Sequence, residues 1–253
     1  MIKLENVVLP SPKQWEAIIR GARNPMNSWD RSDSGMGCTF RKVWGEEEHG
    51  PQFCKDCSHT YESKCPCNAV GDPQFVIGPN DNDLLMRLAK AGSDHSKYRR
   101  MIVVYVDITA PLYWWKEFDT YKVGTVANSC STMHKIHAKA FSWDDFSTEH
   151  LLRTSEGVFE QFIDTLNELR DLYIGYNGFK YKYGEHDKKM YWDNMIQLLP
   201  SSYNQRRTVM LNYQVLANIY PSRKNHKLQE WHDFCDWIKS LPYSELITLE
   251  DAE

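Results

Sequence analysis

The sequence predicts an α+β fold that carries a cysteine-rich insertion. Apolar residues recur at helical spacing in several segments of the 253-residue chain. A β-branched run at residues 101–110, MIVVYVDITA, has the composition of a strand that is buried on at least one face. Residues 38–72 stand apart, because five of the seven cysteines lie in this polar stretch. We therefore expect a single domain over residues 1–253, with the insertion inside it.

Composition and charge exclude several classes of protein. The net charge of −4 and the pI near 6.1 give no general basic surface, so general nucleic acid binding is not expected. The most apolar run, residues 101–106, is far shorter than the about 20 residues that span a bilayer. The N-terminal residues MIKLENVVLPSPKQW turn polar within a few positions. We therefore expect no signal peptide, no membrane insertion and a cytoplasmic protein.

Local signals place the remaining elements. Ser11 and Pro12 have the positions of an N-cap and a first-turn proline, and Gly21 and Pro200 are typical helix ends. Apolar spacing defines the helical segments between such signals. Helices are predicted at residues 12–21, 80–91, 155–173, 190–199, 201–220 and 224–241, and a second strand at residues 74–78.

The loop after the first helix, ARNPMNSWDRSDSGMG, is rich in polar side chains. Asn and Ser are common in loops because their side chains bond to nearby backbone groups. Arg23, Asn27, Ser28 and Arg31 could therefore contact a ligand, or they could cap and turn the loop.

The cysteine-rich stretch has spacing that suits a metal. Cys54-x-x-Cys57 and Cys65-x-Cys67 provide two close pairs, and two such pairs can bind one zinc ion tetrahedrally through four thiolates. The second pair is a poorer match to a zinc ribbon than a second Cys-x-x-Cys. The sequence therefore leaves two interpretations open, a structural zinc site and free thiols on a loop.

Residues 110–136, APLYWWKEFDTYKVGTVANSCSTMHKI, follow the predicted central strand directly. Three large aromatic residues at 113–115 precede a run of small polar residues at 128–132. Small hydroxyl and amide side chains at a strand end can hold a polar planar ligand, and ligand crevices commonly form there. The alternative interpretation is a helix followed by a capped turn.

Residues 199–223, LPSSYNQRRTVMLNYQVLANIYPSR, contain a Leu-Pro turn followed by Asn212 and Arg223. This stretch resembles the C-terminal half of the flavin-dependent thymidylate synthases, and Asn212 matches the Asn of the family's Asn-x-Arg motif. Arg223 matches the arginine that approaches the uracil ring, and His226 and Gln229-Glu230-Trp231 resemble residues that follow it. The stretch ITAPLYWW and the segment around Ala22-Arg23 extend the resemblance to most of the chain outside the cysteine-rich stretch. It implies a mixed sheet with a helical bundle.

The family's signature, Arg-His-Arg-x-x-Ser-x-Asn-Glu-x-Ser-x-Arg, is altered here. When its last Ser is placed on Ser131, its Asn falls on Asn128. The positions of Arg-His-Arg, Glu and the final Arg are then occupied by Tyr121, Lys122, Val123, Ser129 and Met133. A shift of one residue aligns Thr120, Tyr121, Lys122 and Thr125 instead. Gln214 and Ile196 replace two further arginines.

A nucleotide phosphate needs charge-assisted donors, so other groups must replace the lost arginines. Lysines and arginines near the matched motifs are candidates, and backbone N–H groups at residues 129–132 could form an anion-binding nest. These basic side chains are Lys116, Lys122, Lys135, Arg206, Arg207 and Lys224.

The resemblance implies functional assignments residue by residue. Arg223 and Ser131 would be the catalytic residues. The substrate, dUMP or a related pyrimidine nucleotide, would contact Asn128, Ser129, Ser131, Arg206 and Arg223. The cofactor FAD would contact Lys122, Thr125, Asn212 and His226. NADPH and methylene-tetrahydrofolate would be co-substrates of a methyltransferase that carries a one-carbon unit to C5 of the pyrimidine, and the protein would be a homotetramer.

Two hypotheses therefore remain. The first is an FAD-dependent thymidylate synthase-like enzyme of nucleotide biosynthesis. The second is a non-catalytic relative that binds a nucleotide or a partner, with the cysteine-rich stretch as a zinc-stapled interaction module. The lost arginines favour the second hypothesis, and the polar cluster around Ser131 favours the first.

The zinc hypothesis has a direct test. If Cys54, Cys57, Cys65 and Cys67 bind a structural ion, we expect elemental analysis of the purified protein to find about one zinc per chain. The double substitution Cys54→Ser and Cys57→Ser should remove the metal. A folded sample without zinc would rule out the site.

Overall fold

The computed structural model describes residues 2–37, 74–175 and 188–250. The strands are β1 (Lys3–Val8), β2 (Gly35–Gly37), β3 (Gln74–Val76), β4 (Val103–Pro111), β5 (Val126–Ser129) and β6 (Asn204–Asn212). The helices are α1 (Pro12–Arg23), α2 (Pro79–Lys90), α3 (Leu112–Phe118), α4 (Arg153–Ile174), α5 (Lys188–Leu198), α6 (Tyr213–Arg223), α7 (Gln229–Ser240) and α8 (Glu245–Thr248).

A four-stranded sheet has the strand order β1-β4-β6-β5. β5 is antiparallel to β6, with Asn128 opposite Thr208 and Ser129 opposite Arg207. Side chains alternate between the two faces of a strand, and burial in β4 and β6 alternates with the same period of two. One face of the sheet is therefore packed against the core and the other carries more open, polar side chains. β2 and β3 form a separate antiparallel pair.

The chain divides into two compact units. The first comprises residues 1–7, 105–210 and 223–237. An aromatic cluster fills part of its core, because the ring centroids of Trp114 lie 4.7 Å from those of Trp231 and 5.0 Å from those of Phe118. Side chains of this kind contribute about 1.5–3 kcal/mol each when fully buried. A second apolar cluster includes Phe146, which packs with residues of α4 and α5.

The second unit comprises residues 8–104, 211–222 and 238–253. Two of its buried phenols donate to backbone carbonyls: Tyr98 donates to Leu85 over 2.8 Å and Tyr213 donates to Pro242. Burial raises the pKa of Tyr98 to about 12, so its hydroxyl keeps its proton and remains a donor at neutral pH.

A buried ion pair organises the loop after α1. Arg23 donates through Nε to Asp81 over 2.5 Å, and both side chains are at most 5% exposed. The same guanidinium donates to the carbonyl oxygens of Ser28 and Arg31, and Asp81 also accepts hydrogen bonds from Ser34. Of the two roles that the sequence left open for Arg23 and Ser28, the structure shows the structural one, because both residues hold the loop in place.

The structure confirms most predicted elements and corrects one. The predicted strand at 101–110 is β4, and the predicted helices at 80–91 and 155–173 are α2 and α4. The first helix runs past Gly21 and ends at Arg23. The prediction of one helix over residues 201–220 is wrong, because residues 204–212 form strand β6 before α6 begins. This segment pairs with β5, and long-range strand pairing overrides its local helical spacing.

Three further strands, β1, β2 and β5, carry no apolar alternation and are not predicted from the sequence. Val158 belongs to the apolar spacing that predicts α4 and would place it inward, but this residue is 71% exposed, so that part of the prediction is wrong. Within residues 2–37, 74–175 and 188–250 no helix is long and apolar enough to cross a membrane.

The cysteine-rich insertion at 38–72, with Cys54, Cys57, Cys65 and Cys67, lies outside the described residues. In the part of the chain that the structure describes, no group of three or more His, Cys, Asp or Glu side chains is arranged to hold a metal ion. The insertion, its zinc and the single-domain organisation therefore stay predictions.

Breaking the buried pair should destabilise the protein strongly. We expect Asp81→Asn to lower the free energy of unfolding by about 3–5 kcal/mol, because Arg23 would stay buried without a counter-charge. Urea unfolding measures this. Arg87→Met is the control, since the Arg87–Asp83 pair is exposed and such pairs contribute about 0–1 kcal/mol. A loss below about 1 kcal/mol in Asp81→Asn would contradict the account.

The same pair sets an acid dependence. Burial raises the pKa of Asp81, but hydrogen bonds from Ser34, Ser32 and Arg23 outweigh it and the pKa is lowered. The stabilisation is therefore complete above the unfolded-state pKa of about 3.9 and is lost as the pH falls through the lower folded-state pKa. In Asp81→Asn this part of the pH dependence should be absent.

Candidate functional site

Arg223, the last residue of α6, lies at the centre of a polar and aromatic cluster in the first unit. Its Nη1 donates to Oε2 of Glu117 over 2.5 Å, and its Nε donates to the hydroxyl of Tyr121 over 3.0 Å. The guanidinium also lies over the Trp231 ring, 4.6 Å from the centroid. Two hydrogen bonds and a cation–π contact therefore fix the orientation of this arginine.

Glu117 is the acceptor that joins the cluster. Besides Arg223, its Oε2 accepts a hydrogen bond from the indole Nε1 of Trp231 over 2.9 Å and contacts Nε2 of His226 at 3.3 Å. The other ring nitrogen of His226, Nδ1, accepts the backbone N–H of Leu228. A neutral His226 would therefore carry its proton on Nε2, the ring nitrogen 3.3 Å from the carboxylate.

Local sequence explains this convergence. Glu117 lies near the end of α3, and the chain continues as a 3₁₀ turn over Asp119–Tyr121. Residues four apart on a helical segment share a face, so Glu117 and Tyr121 both reach Arg223. The side chains of Arg223 and Glu117 are 16% and 34% exposed, so a ligand can reach both groups.

A second buried carboxylate lies next to Trp231. Glu230 is 7% exposed and accepts a short hydrogen bond from the hydroxyl of Tyr113. Burial and the neighbouring Glu230 raise the pKa of Tyr113. The phenol therefore stays protonated and donates to the carboxylate, which fixes the beginning of α7 and with it Trp231.

Arg206 is engaged on the polar face of the sheet. Its Nη2 donates to Asp107 over 2.7 Å, and Thr208 and Asn6 donate to the same carboxylate over 2.5 Å and 2.8 Å. Hydrogen bonds from Thr208, Asn6 and Arg206 hold the pKa of Asp107 well below its usual range. Arg206 is thus paired with a permanently charged acceptor on β4.

Arg207, its neighbour on the other face of β6, is also engaged. Its Nη1 donates to Asp119 over 2.7 Å, and its guanidinium lies 4.1 Å from the ring centroid of Trp115. Its Nε donates to the side chain of Gln205, which in turn donates to the carbonyl oxygen of Cys130. Arg207 therefore connects the aromatic core to the chain after β5.

The polar run at 128–132 is exposed. Asn128 and Ser129 end the edge strand β5. Ser131 follows in a turn, where its hydroxyl oxygen accepts the backbone N–H groups of His134 at 2.8 Å and Met133 at 3.3 Å. The capped-turn interpretation of this residue therefore describes its observed contacts, while its open position leaves it accessible to a ligand.

The four residues assigned to FAD by resemblance differ in their availability. The side chain of Lys122 is exposed and forms no hydrogen bond or ion pair with any described residue, while its backbone carbonyl accepts the N–H of Thr125. The Thr125 hydroxyl donates to the carbonyl oxygen of Tyr121, and His226 has both ring nitrogens engaged. Asn212 belongs to the second unit, where its side-chain oxygen caps α6 through the N–H of Val215.

The structure thus brings Arg223 and His226 together on one carboxylate. Sequence reasoning missed Glu117, Tyr121 and the role of Trp231. Glu117 and Tyr121 lie four residues apart in the segment that follows Ala110-Pro111. This spacing could have revealed them in the sequence, because it places an acid and a phenol on one helical face.

The second unit contains a polar cleft of about 650 Å³. The remaining residues of the predicted loop, Asn27 and Arg31, line it together with Arg23 and Ser28. Opposite them are Asp83 and Arg87 of α2, which are paired with each other. The loop therefore borders a surface whose net charge is close to zero.

Comparison with solved structures identifies the fold. Two crystal structures of the flavin-dependent thymidylate synthase ThyX from Helicobacter pylori, each with FAD and dUMP, are similar to this chain over 99% of its length and over 98% and 97% of theirs. The TM-scores are 0.56 and 0.55, at 15% sequence identity in both cases. No protein-family model matches the sequence, and no curated protein matches it significantly.

The chain therefore has the ThyX fold, with helices and an antiparallel sheet, and the resemblance stated from the sequence is confirmed at the level of fold. At 15% identity, the family's residues are not carried over by this likeness.

Proposed function

We propose that this protein is an FAD-dependent, thymidylate synthase-like enzyme that acts on dUMP or a related pyrimidine nucleotide. The observation that carries the proposal is the fixed, partly open guanidinium of Arg223 in a chain whose fold, over its whole length, is that of an enzyme solved with FAD and dUMP. A preorganised donor of this kind stabilises charge that develops on a pyrimidine ring.

The residues of this chain would bind and orient the reactants. Arg223 would contact the pyrimidine, held in place by Glu117 and Tyr121. Bound FAD would supply the hydride for reduction of the one-carbon unit. The exposed ammonium of Lys122 suits the FAD diphosphate in charge and accessibility.

The nucleotide phosphate would be bound by lysines. Arg206 and Arg207 already have carboxylate partners, so a phosphate would compete with an aspartate for each of them. Lys116 and Lys135 are exposed and form no ion pair with a described residue. Together with the open hydroxyl of Ser131, they are groups near the matched motifs that can bind a phosphate without such competition.

The further parts of the proposal follow the resemblance. NADPH and methylene-tetrahydrofolate would be the co-substrates of a methyltransferase reaction at C5, and the enzyme would act in the cytoplasm as a homotetramer. The exposed edge strand β5 supports assembly, because Val126 is 62% exposed and the nearby Val123 is 89% exposed. Exposed apolar groups on a sheet edge are typical of subunit contacts.

A second candidate is a non-catalytic protein that binds a nucleotide or a partner. The pairing of Arg206 with Asp107 favours it, because this arginine already has a charged acceptor. Ser131, which accepts two backbone N–H groups, likewise has a structural role already. In this case the zinc-stapled insertion would be the interaction module.

The enzyme hypothesis is tested by flavin spectroscopy. We expect the purified protein to bind FAD, to be bleached by NADPH, and to be reoxidised faster when dUMP is added. Arg223→Met should retain FAD and lose the response to dUMP by about tenfold or more, since a charge-assisted contact is removed.

Arg153→Met, at the exposed start of α4, is the matched control and should behave as the wild type. Colourless protein that neither takes up FAD nor gains thermal stability with dUMP would reject the enzyme. A thermal response to dUMP without any flavin chemistry would favour the second candidate.

A further inference from the structure

The contact between Arg223 and Glu117 leaves one atom of each group without a partner. Arg223 uses Nη1 and Nε, and Glu117 uses only Oε2, which is shared by three side chains. Among the residues that the structure describes, neither Nη2 of Arg223 nor Oε1 of Glu117 has a hydrogen-bond partner. Neither atom is one of the buried unpaired atoms either. The free donor and the free acceptor therefore belong to the two groups of one ion pair, and both are within reach of solvent.

Both free atoms have fixed positions. The guanidinium cannot rotate without losing Tyr121, Glu117 or its stacking on Trp231. The carboxylate cannot rotate both oxygens away from this position without losing its contacts with the indole of Trp231 and the ring of His226. A fixed donor beside a fixed acceptor is complementary to a planar ligand edge in which an N–H adjoins a carbonyl.

We propose that Glu117 is a specificity-determining residue whose Oε1 accepts the N3–H of a uracil ring, while Nη2 of Arg223 donates to the adjacent ring carbonyl. This inference rests on the proposed function, because it assumes a pyrimidine nucleotide at Arg223. An ionised carboxylate can only accept hydrogen bonds, so it rejects a ligand that has no hydrogen at this position.

The three contacts on Oε2 make the substitution Glu117→Gln informative. Arg223 and Trp231 both donate to this position, and Nε2 of His226 lies 3.3 Å from it, so the glutamine must place its amide oxygen there. Its NH₂ group then occupies the position of Oε1. The variant keeps an acceptor for both donors but presents a donor to the ligand, so N3–H of uracil meets another N–H.

The experiment measures the binding of dUMP and of N3-methyl-dUMP to the wild type and to Glu117→Gln by isothermal titration calorimetry. The wild type should bind dUMP about tenfold or more tightly than the methylated analogue. In Glu117→Gln this ratio should fall to within about twofold of one, because neither ligand finds an acceptor. Both affinities in the ratio are measured on the same variant, so a substitution that weakens the binding of both ligands equally leaves the ratio unchanged.

Asp119→Asn is the matched control, since Asp119 lies two residues further on and pairs with Arg207. It should keep the ratio of the wild type. An unchanged ratio in Glu117→Gln would overturn the inference and leave the proposed function standing, because Glu117 would then only support Arg223. The wild type alone also tests the inference, since equal affinity for both ligands overturns it. Failure of the wild type to bind dUMP at all would overturn the proposed function as well.

Discussion

The acceptor Oε2 of Glu117 is the constraint on which the first unit's polar cluster depends. Three side chains converge on it: Arg223 at the end of α6 and Trp231 in α7 donate hydrogen bonds, and the ring of His226, in the loop between them, lies 3.3 Å away. Without it, the arginine would keep only its bond to Tyr121 and its stacking contact. A single carboxylate therefore converts a flexible arginine into a donor with a fixed direction.

The two arginines of strand β6 have a different role from Arg223. Arg206 and Arg207 point to opposite faces of the sheet, and each is paired with an aspartate, Asp107 and Asp119 respectively. Because a paired guanidinium offers its remaining donors only in fixed directions, these residues contribute to the sheet more than to an anion site. All three arginines are therefore paired with a carboxylate, two on strand β6 and one, Arg223, inside the polar and aromatic cluster.

Sequence reasoning could predict the elements whose signal is local. The β-branched composition of β4 and the long apolar spacing of α4 are properties of single segments, and both are found in the structure. Strand β6 was mistaken for a helix, because its state is decided by pairing with β5. A motif indicated the importance of Arg223, but its three contacts could not be predicted. Tyr121 and Glu117 lie more than 100 positions before Arg223 in the sequence, and Trp231 lies eight positions after it.

The most direct measurement is a crystal structure of the protein with dUMP bound. The account predicts that Arg223 stays on Glu117, Tyr121 and Trp231 and that its free Nη2 contacts the pyrimidine ring. Release of the guanidinium from Glu117 on binding, or a nucleotide bound away from Arg223, would contradict it.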